Sequence, residues 1–215
     1  MNATTAAPAA ARTRREPPPT ATAGGATVTP LTRLIGATFI AAPVLLLASS
    51  VAFAAGSEPA RGVLQFYAAA LFMFVLVTLA QTVAGGAPRA AVGLALLAVI
   101  GMTAGAGFAV DNLHGALLDD AYLVDDGGTA GMLVAQVPGL MGPIAWVGFG
   151  VALLQTGVRP RWSAWALIVA GLLFPVSRIG EVAPLAIADD LIFLVALAPL
   201  GWALMQGRPL LGGRR

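Results

Sequence analysis

Six long apolar runs occupy most of this 215-residue chain, at about Leu34–Ala55, Gly62–Ala84, Ala90–Val110, Ala130–Leu154, Trp162–Ile179 and Pro184–Gln206. Each is close to the ~20 residues that a helix needs to cross the hydrocarbon core of a bilayer. None alternates with period two, so a membrane β-barrel is excluded. Hydrophobic residues make up 58% of the chain and charged residues 10%. Ordinary globular domains stand nearer half and a quarter. The predicted fold class is therefore all-α, a polytopic bundle of six transmembrane helices whose natural surroundings are a lipid bilayer.

The few charges are sorted by sign. Arg12, Arg14, Arg15 and Arg33 precede the first run, Arg89 follows the second, Arg159 and Arg161 follow the fourth, and Arg208, Arg214 and Arg215 follow the sixth. Threading six spans in order puts all ten on one side. The other side receives Arg61 and Arg178 together with nine of the ten acids. Arginine is retained on the cytoplasmic face, so both termini are expected in the cytoplasm of a cell with an inner or plasma membrane. The arginine-only basicity and the abundance of Ala, Gly and Pro suggest a bacterial source. A net charge of +2, carried by scattered arginines and no lysine, offers no continuous basic face for nucleic acid. The absence of cysteine removes disulfides, thiolate catalysis and Cys-ligated metals.

Residues 1–30, rich in Ala, Thr and Pro, read as a disordered basic tail, 31–208 as the bundle, and 209–215 as a short basic tail. Arg14-Arg15 is followed by Glu16 and three prolines, which does not suit an export signal. The first run ends Ala52-Phe53-Ala54-Ala55, resembling a cleavage site, but it is longer than a signal core and is expected to be retained. Leu113–Asp126 is mildly amphipathic and is expected along the outer interface. Its Asp119-Asp120 and Asp125 lack a second acidic motif and read as a solvated loop.

Two features bear on packing and movement. Gly101 and Gly105 allow a close helix approach, read here as packing within the chain. The fourth run carries Pro138, Gly139, Gly142 and Pro143, which should bend or break its helix. These four are the gating candidates, because broken helices line the substrate sites of many transporters. Gln81-Thr82 with Pro88-Arg89 echoes Gln155-Thr156 with Pro160-Arg161, the outline of a repeated helical hairpin.

Polar residues within or beside apolar runs are the remaining signal. Asp111 and His114 close the third run, Arg178 and Glu181 lie between the fifth and sixth, and Asp189 and Asp190 lie about two turns into the sixth. Ionisable groups at membrane depth are costly and need partners. The two aspartates are about 100° apart around a helix. One is therefore expected to pair with Arg178 inside the bundle while the other reaches the headgroups. The six residues are read together as an outward polar cluster that binds a proton, a cation or a small solute, or else as a structural ion pair.

His114 is the only histidine, which excludes bis-histidine haem within one chain and a His-rich zinc site. No serine has a G-x-S-x-G setting, and no phosphate loop exists without lysine. The reading therefore leans away from an enzyme and expects neither cofactor nor metal. Two functions stay open. One is a small transporter or solute- or ion-binding membrane protein. The other is a membrane scaffold or accessory subunit, with a homo-oligomer or another membrane protein as partner.

Overall fold

A computed structural model of the chain describes residues 28–118, 128–131, 133 and 136–211. Thr29 opens the first helix, its hydroxyl oxygen accepting from the Thr32 backbone N–H at 3.2 Å, and Pro30 occupies the first turn. A missing N–H costs nothing there, because no intrahelical acceptor awaits it. Six long helices follow: α1 Pro30–Ala54, α2 Glu58–Ala84, α3 Pro88–Leu118, α4 Val137–Thr156, α5 Arg161–Ile179 and α6 Ala183–Met205. All six are long and apolar enough to cross a membrane, and no strand occurs among the described residues.

The helices form a closed ring in chain order. Each packs against its sequence neighbours, α6 closes onto α1, and α2 also touches α4 across the interior. Small residues let the backbones approach. A Cβ on Gly201 of α6 would strike the Gly36 carbonyl of α1 and lie 2.6 Å from the Phe39 Cβ. A Cβ on Gly101 of α3 would strike the Gly142 backbone of α4. Backbone contact of this kind is a main source of helix association in lipid, where burial of apolar surface supplies little. Gly101 therefore packs within the chain, whereas Gly105, one turn on, has open space around it.

The middle of the ring is filled by aromatic rings. Phe72 of α2, Trp146 of α4 and Phe193 of α6 contact one another with centroids 5.1 to 6.1 Å apart, and Phe174 of α5 lies 6.3 Å from Phe193. The outer surface carries exposed apolar side chains such as Phe74, Leu96, Ile144 and Leu172, as a lipid-facing ring requires.

Two helix boundaries differ from the sequence reading. The third helix does not end at Val110 but continues to Leu118, so Asp111 and His114 are helical and Leu113–Leu118 extends the span. In the fourth, Leu133 and Gln136 are π-helical and the regular α-helix begins only beyond them. A separate turn at Gly128–Gly131 comes first, and α4 starts at Val137 with Pro138 in its opening turn. Pro143 is the one proline inside α4. After α6 the chain folds back: Leu210 is buried, and the Arg159 N–H donates to its carbonyl at 3.1 Å. Residues 1–27, the acids Asp119, Asp120, Asp125 and Asp126, and Arg214 and Arg215 lie outside the described residues.

Candidate functional site

The antiparallel threading gathers charge at the two ends of the ring. Arg33, Arg89, Arg159, Arg161 and Arg208 lie at or beyond helix ends on one side, hereafter the arginine end. Glu58, Arg61, Asp111, His114, Arg178, Glu181, Asp189 and Asp190 lie toward the other, the acidic end.

One corner of the acidic end is a closed network. Asp190 is seven residues into α6, about 10 Å along the helix. Arg178 in the last turn of α5 donates from Nη2 to its Oδ1 at 2.6 Å. Ser50 of α1 donates from Oγ to Oδ2 at 2.5 Å and accepts from Arg178 Nη1 at 2.9 Å. Three helices are thus tied by three charge-assisted bonds, a geometry in which buried carboxylate and guanidinium satisfy each other. The Arg178 guanidinium also lies over the Phe174 ring, 5.3 Å from its centroid.

Asp189 is different. It is 0% exposed, so it does not reach the headgroups as the sequence suggested. Neither of its carboxylate oxygens has a hydrogen-bond partner among the described residues. The Arg178 guanidinium lies close enough to act electrostatically on both aspartates. One guanidinium thus stands beside two buried aspartates and is hydrogen-bonded to one of them, Asp190.

Beside this corner, a cavity of about 480 Å³ opens at the acidic end. Polar side chains from three helices and two flanking positions line it: Arg61 and Gln65 from α2, Asp111 and Asn112 from α3, Arg178 from α5, with Gln136 just before α4 and Glu181 just after α5. Asn112 Nδ2 donates to Gln65 Oε1 at 3.2 Å, joining α2 to α3 across one wall. Arg61 pairs with Glu58 at 3.2 Å and lies 4.1 Å from the Phe53 ring centroid. Phe108, Trp146 and Phe174 supply aromatic wall. The volume and the mixed lining are those of a small-molecule site.

Glu181 sits at this cavity with φ 50°. That left-handed backbone suits glycine and costs a side-chain-bearing residue roughly 1 kcal/mol. The turn between α5 and α6 thus holds a carboxylate where a glycine would be less strained.

Of the residues singled out by sequence, Asp111, Arg178 and Glu181 line the cavity, and Asp189 and Asp190 lie in the adjoining corner. His114 is half-buried on α3 and is not part of the lining. Gly139, Gly142 and Pro143 line the cavity and Pro138 does not. The sequence reading missed Arg61, Gln65, Phe108, Trp146 and Phe174 as site residues, and Ser50 as part of the network. Gln65 carried a usable signal, since an amide inside an apolar span is costly without a purpose. The aromatics carried none, because core and cavity use the same residue types.

The fold and the site define a six-helix polytopic membrane protein with a polar cavity at one end. No protein-family model, curated protein or solved structure matches the chain.

Proposed function

We propose that this protein binds a small solute within the membrane bundle and belongs to the transport class. The observation that carries the reading is the cavity. Polar side chains from α2, α3 and α5 converge with Gln136 and Glu181 on a space of about 480 Å³ inside an otherwise apolar ring. Polar groups at membrane depth are retained at a cost, and convergent ones mark substrate or ion pathways. A scaffold gains nothing from such a space. The lining of α4 by Gly139, Gly142 and Pro143 gives one wall a helix with a missing hydrogen bond, since Pro143 leaves the Gly139 carbonyl without its helical N–H donor.

The arginine end faces the cytoplasm in this reading, so the cavity opens outward and both termini are cytoplasmic in a plasma membrane. Phosphatase fusions test the orientation. High activity is expected near Asp120 and low activity after Leu211, and the reverse pattern contradicts it.

Occlusion tests the function. A Cβ at Gly105, on the cavity wall, would meet nothing within 4 Å. Gly105→Phe should therefore fill the space without disturbing the backbone. Solutes that raise the melting temperature of purified wild-type protein should fail to do so for this variant. If wild type and Gly105→Phe respond alike across the solute panel, the cavity is not the site, and the accessory-subunit reading takes its place.

A further inference from the structure

We propose that the solute of this cavity is a small organic cation, an amine with an apolar body; the proposal rests on the solute-binding reading above. Three observations point the same way.

The first is the balance of charge. The described residues of the acidic end hold two guanidiniums, Arg61 and Arg178, and both are already paired, with Glu58 and with Asp190. Glu181 lines the cavity outside those two ion pairs. Even with Asp111 set aside, Glu181 leaves the cavity one carboxylate beyond its two ion pairs. An anionic solute would have to take an arginine from its carboxylate and leave that carboxylate stranded at low dielectric. A cationic solute supplies the charge that is short, and breaks nothing.

The second is the wall. Phe108, Trp146 and Phe174 line the cavity. Aromatic faces attract cations, most strongly when water is excluded. Arg61 and Arg178 already use Phe53 and Phe174 in this way at the same end of the ring. The third is the absence, among the described residues, of any group of three or more carboxylates or histidines set to hold a metal ion. The cation that suits this site therefore has an apolar body for the aromatic wall, with an ammonium head toward Glu181 and the acceptor oxygens of Gln65 and Asn112.

Three probes of one shape distinguish the classes: phenethylammonium, 2-phenylethanol and phenylacetate. Binding is measured by calorimetry on the full chain in neutral detergent, at low and at high salt. The amine should bind about fivefold more tightly than the alcohol, with the carboxylate weakest, because one solvent-screened charge a few ångströms away is worth that much. Glu181 is exposed, so Glu181→Gln leaves the fold intact and should weaken the amine about fivefold while leaving the alcohol unchanged. Equal or tighter binding of the alcohol or the carboxylate, blocked by Gly105→Phe, would overturn the cation proposal and leave the solute-binding reading standing. An amine preference that survives in Glu181→Gln would overturn it too. Binding of all three probes that Gly105→Phe does not affect would overturn both.

Discussion

Two regions of the acidic end sit side by side and use polar residues in opposite ways. At the corner of α1, α5 and α6, Ser50, Arg178 and Asp190 are mutually bonded, with Ser50 and Asp190 fully buried and Arg178 reaching the cavity edge. Along the wall of α2, α3 and α4, Arg61, Gln65, Asn112 and Gln136 surround empty space. The backbones explain the difference. At both α1–α6 and α3–α4 the helices meet on glycine, but Gly105 is followed by no partner, and α4 does not begin until Val137. The first region holds the ring shut; the second leaves room inside it. Polar residues in a membrane bundle therefore do not announce a binding site by themselves. What separates structure from site is whether the bonded groups close on one another or leave a cavity beside them.

The largest expected effect breaks the corner. Arg178→Ala strands Asp190 and Ser50 beside Asp189, and should destabilise the detergent-solubilised protein by about 3–5 kcal/mol. Arg178→Ala with Asp190→Ala should recover part of that loss, because the stranded charge goes with it. The same cycle with Asp189 should show weaker coupling, since Asp189 makes no hydrogen bond to Arg178. Additive effects in the Asp190 cycle would show that the pair does not exist.

The next effect contrasts two glycines one turn apart. Gly101→Ala forces a methyl into the Gly142 backbone and should cost about 1–3 kcal/mol. Gly105→Ala meets open space and should stay within about 0.5 kcal/mol of wild type. Equal costs would mean that α3 and α4 are packed alike at both positions and that no cavity separates them.

A smaller effect concerns the turn that holds Glu181. Glu181→Gly relieves a left-handed backbone at φ 50°. It should stabilise the protein by about 0.5–1 kcal/mol in thermal unfolding while weakening amine binding. Stabilisation with unchanged binding would leave the strain without a role at the cavity. Smallest of all is Pro138→Ala. Proline in the first turn of α4 displaces no helical hydrogen bond, so the change should stay within about 0.5 kcal/mol. A large loss would restore Pro138 to the interior of a longer, bent helix.

Much of the fold was legible in the sequence because hydropathy over some 20 residues has one reading in a membrane. The same holds for the sorting of Arg89, Arg159 and Arg208 away from Asp111 and Glu181, which survives as the two ends of the ring. The pairing of Arg178 with the aspartates followed from matching depth. Which aspartate was not legible. Neighbours on a helix point about 100° apart, and the choice depends on where α1 closes the ring and places Ser50. The start of α4 was ambiguous for a local reason. Proline fits the first turn of a helix as readily as it kinks an interior, and Pro138 and Pro143 do one each. The cavity was invisible, because it depends on the space next to Gly105, and one residue's letter does not report what fails to reach it.

The central claim, an accessible cavity beside a closed corner, is most directly tested by thiol labelling. The chain has no cysteine, so each introduced thiol is unique. Gly105→Cys places one on the cavity wall, and Ser50→Cys places one in a position that is 0% exposed. A positively charged methanethiosulfonate reagent should modify Cys at position 105 quickly in membranes, and phenethylammonium should slow the reaction, while Cys at position 50 should stay unmodified. An unreactive thiol at 105, or equal rates at the two positions, would contradict the account.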